Sequence, residues 1–412
     1  MASPERARAR INLAAIERNS ARLRDSVAPG VRLCAVVKAD GYGHGAVASA
    51  RAALAGGAGW LAVVSSQELR ELRAAGLREV PVLVMGAMTR EELGQALADG
   101  GEVVVWNETG VGAVAAAGGG AVHVKLDSGM GRLGTRDPEQ ASAVVAAAEA
   151  TEGVRLAGLM THFATADEAE DDGFFAAQLD AFSRWARPLA DSRPGVIVHA
   201  ANSAAVLREP ASHFDMVRCG IAVYGMDPFG SDPAPHGLEP ALELDSYVAE
   251  VKLCRAGESA GYGRRFVASR DTALGLLPIG YGDGWRRGLS NEAEALIGGE
   301  RRGLVGTVSM DSVTVDLGER LDESLAGQPA VLIGRQGRER ILAEELAARL
   351  GTINYEITCG LTPRVTRRYH RDGIAAPAAE APGAEAGEVA VDGAPASGRA
   401  EPARAGEGGA SA

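Results

Sequence analysis

Along the first half of the chain, short apolar runs recur with amphipathic segments between them: "VRLCAVVKA", "WLAVVS", "VPVLVMG", "EVVVW", "VHVKLDSG", "RLAGLMTHFA", "VIVHAAN" and "MVRCGIAVYG". Inside these runs the apolar residues follow one another without clean alternation, as in parallel strands buried on both faces. Most spacers, such as "SQELRELRAAG" and "TREELGQALADG", are helical in composition, so the segment reads as repeated βα units. Eight units over about 225 residues predict a (β/α)8 TIM barrel rather than a doubly wound sheet.

The pattern changes after the Pro/Gly-rich stretch "DPFGSDPAPHGLEP", residues 227–240. Beyond it "ALELDSYVAEVKL", "TALGLLPIGYGDGW", "AEALIGG", "RGLVGTVSMDSVTVDLG" and "PAVLIGR" are separated by short turns, which predicts an antiparallel β domain. One helical stretch, "LAEELAARLG", and a last strand, "RVTRRY", complete it. The final forty residues are mostly Ala, Gly, Pro and Glu, too poor in large apolar side chains to offset the entropy of ordering. The expected organisation is a barrel over residues 1–235, a mainly β domain over 236–372 and a disordered tail over 373–412.

Of 412 residues 46% are hydrophobic, enough for a large core, and the formal net charge is −12. That acidity argues against nucleic acid or an anionic membrane as the main partner. The N-terminus lacks the apolar stretch of a signal peptide and no run is long enough to span a bilayer, so a cytoplasmic location is expected. Cys34, Cys219, Cys254 and Cys359 form no CxxC pair, and the two inside apolar strand-like runs read as reduced core thiols.

Barrel chemistry sits at the C-terminal ends of the strands, and unusual polar residues fall there repeatedly. Lys38 ends the first run, Lys125 and Asp127 the fifth, His162 the sixth, Asn202 and Ser203 the seventh, with Arg218 and then Gly220 on or just past the eighth. Each alone is as readily a solvated strand end. Together they match the needs of pyridoxal phosphate: a desolvated lysine amine for its aldehyde, hydroxyl and backbone N–H donors in "NSAA" and "CGIAVYG" for its phosphate, and a partner for the ring nitrogen in Arg218. The glycine-rich "SGMGRLG" projects Arg132, a donor suited to gripping a carboxylate. His44, His123, His199 and His213 are scattered, with no carboxylate or Cys partner at ligand spacing, so no metal site is expected.

These residues lie in motifs that resemble the alanine racemases: "AVVKADGYGHGA", "KLDSGMGRLG", "THFATAD", "HAANSAA", "VRCGIAVYG", "AGYGRRF", "PIGYGDGWRR", "VGTVSMD" and "INYEI…PRVTRRY", in family order over residues 11 to 370. The resemblance implies a pyridoxal-phosphate enzyme that interconverts L- and D-alanine, supplies D-alanine for peptidoglycan and works as a homodimer. It implies Lys38 as the cofactor-bearing base on one substrate face and Tyr262 of the partner subunit as the base on the other. Tyr42, Asn202, Ser203, Gly220, Ile221 and Tyr355 are implied in cofactor binding, Arg218 at the ring nitrogen, and His162 as the link from Arg218 to Tyr262. Arg132, the Met310 backbone and Tyr281 are implied in substrate binding, and Lys125 matches a lysine that the family often carbamylates.

The sequence departs from the common family pattern at Ser309, Ser312, Ala260 and Gly261, none of which is a proton-transferring group. A racemase of broader range, acting on serine, is the alternative; the bulk of Tyr355 and Tyr281 favours alanine. Asp283 is expected to be a structural hydrogen-bonder, Asp311 to pair with a cation, and His44 to hold local structure.

Overall fold

A computed structural model describes residues 5–168, 170, 172–377 and 380. The chain opens with β1 (Arg8–Asn12), and the eight apolar runs follow as β2 (Arg32–Val36), β3 (Trp60–Val63), β4 (Val82–Val84), β5 (Glu102–Val105), β6 (Gly120–Lys125), β7 (Val154–Met160), β8 (Ile197–His199) and β9 (Met216–Cys219). β2 to β9 are paired in sequence order, all parallel, and β9 closes back on β2. The predicted (β/α)8 barrel is therefore present. Its strands are nearly continuous in buried Val, Leu, Ala and Ile, as strands covered on both faces must be. Side-chain caps start several outer helices: reciprocal capping boxes, Ser65 with Glu68 and Thr89 with Glu92, open Ser66–Ala74 and Arg90–Ala98.

The β-rich remainder comprises β10 (Leu242–Tyr247), β11 (Glu250–Cys254), β12 (Ser259–Ala260), β13 (Phe266–Val267), β14 (Thr272–Leu277), β15 (Glu294–Ile297), β16 (Glu300–Gly303), β17 (Val313–Gly318), β18 (Pro329–Gln336), β19 (Glu339–Ile341), β20 (Thr366–Arg371) and β21 (Ile374–Ala375). The main sheet runs β16-β15-β18-β10-β1-β20-β21 with β19 against β18; β11-β14-β17 form a second sheet and β12-β13 a hairpin.

Two boundaries differ from expectation. The span expected for the barrel, residues 1–235, includes β1, yet β1 pairs antiparallel with β10 and parallel with β20. Its alternation, with Ala9 and Ile11 fully buried between the more exposed Arg8, Arg10 and Asn12, suits a sheet with one wet face and not a barrel wall. The disordered tail is expected over 373–412, but Ile374–Ala375 is a strand that turns back on β20; residues 378, 379 and 381–412 lie outside the described residues. No helix among the described residues is long and apolar enough to cross a membrane.

Candidate active site

The barrel mouth begins where β2 ends. Residues 39–42 make a turn of left-handed helix, with φ of 52° at Ala39 and Asp40, 58° at Gly41 and 55° at Tyr42. Left-handed backbone costs roughly 1–2 kcal/mol per non-glycine residue, so the turn needs clamps. Glu68 accepts from the Ala39 N–H at 2.7 Å. His44 Nδ1–H is shared between the Gly41 and Tyr42 carbonyls at 3.1 and 3.0 Å, the structural role expected of it. Tyr224 donates its hydroxyl to the Val36 carbonyl at 3.0 Å and stacks against both Tyr42 and His44. The turn thus presents Lys38 at its start and Tyr42 at its end.

Lys38 is half-buried, and its amine is held below the ordinary lysine value, first by burial and then by repulsion from Arg132. Arg132 also depresses Lys125, His162 and Arg218, so it shares one mouth with all three. Its loop is shaped by Asp127, whose carboxylate accepts from the Gly129 N–H at 3.2 Å and the Gly131 N–H at 2.9 Å. Lys125 is buried, and its amine is lowered to about 8, by burial first and then by Arg218 and Arg132. Four cationic side chains thus converge, while Glu68 accepts from backbone N–H groups, Asp127 from backbone N–H groups and Arg136, and Asp40 from the Ala46 N–H. Such a mouth favours an anionic occupant.

Arg218 is 2% exposed and is held from below. Its Nη2 donates to the carbonyls of Thr161 and Ala200 at 2.8 and 3.0 Å and to His162 Nδ1 at 3.1 Å; its Nη1 donates to His199 Nδ1 at 2.8 Å. Its Nε is buried with no partner. A buried donor with no acceptor costs on the order of 1–3 kcal/mol, and a pyridine nitrogen is the acceptor that fits. His162 is kept neutral by burial and by Arg218. Because it receives a hydrogen bond at Nδ1 from a group that only donates, its proton resides on Nε2.

Across the mouth, Ser203 Oγ accepts from the Gly220 N–H at 3.0 Å and the Ala222 N–H at 3.4 Å. A methyl group on Gly220 would stand 2.3 Å from the Tyr42 hydroxyl, so the phenol lies directly over this backbone. Ile221 opens the short turn Ile221–Tyr224 there, and the Tyr355 ring lies 5.9 Å from that of Tyr42. Burial raises both phenols above their ordinary value, keeping them protonated donors. Hydroxyls and turn N–H groups in this arrangement fit a phosphate. Asn202, expected to touch cofactor, uses its side-chain oxygen to cap the helix Ser203–Arg208 by accepting from the Ala205 N–H at 3.0 Å.

The structure does not bring every candidate together. Tyr262 is 72% exposed, on a turn held by the Thr307 hydroxyl donating to its carbonyl at 2.7 Å. Tyr281 and Met310 are exposed on adjoining loops, joined by the Tyr281 N–H to the Ser309 carbonyl and the Gly282 N–H to the Met310 carbonyl. Among the described residues no hydrogen bond links these three to Lys38, His162 or Arg218. Asp283 accepts from the Gly280 N–H at 2.9 Å and Asp311 pairs with Arg364 at 2.6 Å, both as expected.

Sequence reading missed Glu68, Tyr224 and the partners of two histidines. His123 does have a carboxylate neighbour: Glu102 lies 2.8 Å from its Nε2, while its Nδ1 lies 2.8 Å from His199 Nε2. These residues are 21 and 76 positions apart, so no local spacing signals them.

Comparison with known proteins agrees with the geometry. Residues 11–228 match the alanine racemase N-terminal domain and residues 241–369 the alanine racemase C-terminal domain. Alanine racemase 1 of Bacillus subtilis is 40% identical over 371 residues, 89% of this chain and 93% of the relative. Alanine racemase of Symbiobacterium thermophilum is 42% identical over 374 residues, 88% and 96%. The crystal structure of alanine racemase from Bacillus anthracis with bound L-Ala-P superposes with a TM-score of 0.83 at 34% identity, covering 92% of this chain and 98% of that one. With the barrel, the mouth residues and both domains in agreement, the chain belongs to the alanine racemase family of isomerases.

Proposed function

We propose that this protein interconverts L- and D-alanine with pyridoxal phosphate, as a cytoplasmic homodimer that supplies D-alanine for peptidoglycan. The observation that carries the reading is the buried, unpartnered Arg218 Nε at a mouth where Lys38 and a set of phosphate-type donors converge. Tyr42, Ser203, Gly220, Ile221 and Tyr355 would hold the phosphate, Arg218 the ring nitrogen and Lys38 the aldehyde carbon. When bound, the cofactor supplies the electron-withdrawing system that acidifies the substrate's Cα–H.

The chain's own residues then handle binding and protons. Arg132 grips the substrate carboxylate, aided by the Met310 backbone and Tyr281 of the partner. Racemisation takes a proton from one face of Cα and returns one to the other, so two bases must flank that carbon. Lys38 Nζ serves one face, and its depressed pKa keeps more of the amine unprotonated. Tyr262 Oη of the partner subunit serves the other, facing His162 Nε2–H. Arginine gives up its proton reluctantly, so Arg218 would hold the ring nitrogen by donating a hydrogen bond and not by handing over a proton.

Incubation of the protein with single L-amino acids in deuterated water tests the reading. Deuterium at Cα of alanine with loss of optical activity is expected, and serine reacting comparably would assign the broader range. No exchange with any amino acid, in protein supplied with pyridoxal phosphate, would overturn the activity. Borohydride reduction followed by peptide mapping should put the cofactor's mass on the Lys38 peptide; its presence elsewhere overturns that assignment.

A further inference from the structure

The barrel interior is threaded by a polar line that the reaction as proposed does not require. Arg218 Nη1 lies 2.8 Å from His199 Nδ1, His199 Nε2 lies 2.8 Å from His123 Nδ1, and His123 Nε2 lies 2.8 Å from Glu102 Oε2. Both histidines are fully buried. Glu102 is the first residue of β5, at the foot of the barrel, and its other oxygen accepts from Arg155 at 3.2 Å. Gly158 makes room for the line, since a methyl group there would stand 2.3 Å from His123 Nδ1.

The direction of each bond follows from the ends. Guanidinium only donates, so His199 Nδ1 must be the acceptor and its proton sits on Nε2. That proton points at His123 Nδ1, which must in turn accept, leaving the His123 proton on Nε2. A carboxylate only accepts, and Glu102 receives it. Both rings are neutral in this arrangement, in keeping with burial and the nearby positive charge of Arg218, which hold His199 well below the ordinary histidine value. Every bond is satisfied in one sense only.

The direct acceptors of Arg218 are all uncharged: two carbonyls and two imidazole nitrogens. Cys34 stands beside it across the β2–β9 pair, but burial pushes that thiol up to about 12, so it supplies no anion. We infer that Glu102 is a positioning residue: from the foot of the barrel it fixes the tautomers of His123 and His199, and through them the acceptor that holds the Arg218 guanidinium at the mouth. Without it, a flip of His123 would set two N–H groups against each other, relieved only by a flip of His199 that turns a donor on Arg218. The functional consequence rests on the reading that Arg218 serves the cofactor; the tautomers do not.

Nitrogen NMR of histidine-labelled wild-type protein should find His123 and His199 neutral and protonated at Nε2; a proton on Nδ1 of either overturns the inference, whatever any variant does. Glu102→Leu should give mixed tautomers at His199 and lower kcat about tenfold, the lower end of what loss of an outer hydrogen-bond partner costs at other sites, with KM little changed. Glutamine alone offers one acceptor oxygen to two donors, so the restoring variant is Glu102→Gln with Arg155→Leu, which should recover both the tautomer and most of the rate. An unchanged His199 tautomer in Glu102→Leu overturns the proposal. A changed tautomer with an unchanged rate overturns the coupling to catalysis; if Arg218→Ala also leaves the rate unchanged, the fault lies in the reading of Arg218 and not in the line of hydrogen bonds.

Discussion

At the residue scale, burial at the mouth acts mainly through protonation. Lys125 is 3% exposed, and its amine is lowered to about 8. A carbamate forms only from the neutral amine, which is scarce at an ordinary lysine and plentiful here near pH 8. Protein equilibrated with 13C-bicarbonate should therefore show one carbamate resonance in carbon NMR. It should vanish in Lys125→Ala, and its persistence there would place the modification elsewhere.

Buried histidines carry the opposite liability. His44 is lowered from 6.5 to about 4 by burial, which its carbonyl hydrogen bonds only partly offset. The unfolded chain binds a proton at this residue below pH 6.5 while the folded one does not, so stability falls as pH drops from about 6.5 to about 4 and levels off beneath. One unit below 6.5 this costs about 1.4 kcal/mol for each histidine held neutral. Denaturant midpoints measured from pH 7.5 to 5 should fall accordingly, and His44→Gln should fall less steeply though starting lower. An equal slope in the variant would remove His44 from the account.

At the element scale, the left-handed turn after β2 is positioned by the second domain as much as by the barrel. Arg367, just inside β20, reaches the Gly43 carbonyl at 3.2 Å while also donating to the carbonyls of Leu361, Thr362 and Val365. A methyl group on Gly45 would stand 1.9 Å from the Tyr369 hydroxyl, and one on Gly43 would stand 2.2 Å from the Thr358 carbonyl, so the two domains meet at these glycines without space to spare. Charged hydrogen bonds of this kind contribute roughly 1.5–3 kcal/mol. Arg367→Leu should weaken pyridoxal phosphate retention in dialysis several-fold, although the residue lies outside the proposed cofactor contacts. Unchanged retention would mean that the turn is self-supporting.

At the scale of the whole molecule, β1 lies in the β-rich domain and the chain then traverses the whole barrel before returning, so the barrel is one continuous segment inserted into a β-rich domain that is not. Lys38 is half-buried at the mouth, and Tyr262, Tyr281 and Met310 are exposed on loops of the β-rich domain. A dimer in which each subunit's loops complete the other's mouth reconciles these facts. Co-expression of Lys38→Ala with Tyr262→Phe tests it, because each mixed dimer would contain one site with both native bases. Random pairing should then restore about a quarter of wild-type activity from two nearly inactive parents. Activity no greater than the sum of the parents would rule out sharing.

The sequence by itself determined the barrel, since eight apolar runs with helical spacers specify parallel strands buried on both faces. It determined too which polar residues end those strands, from Lys38 to Arg218. Tertiary structure alone decided that β1 belongs to the main sheet of the β-rich domain, that residues 39–42 wind left-handed, and that Glu102, His123 and His199 line up beneath Arg218. The reason is range: periodicity and composition act over a few neighbouring residues, whereas a strand's partner, a turn's clamps and a buried imidazole's acceptor come from positions tens to hundreds of residues away.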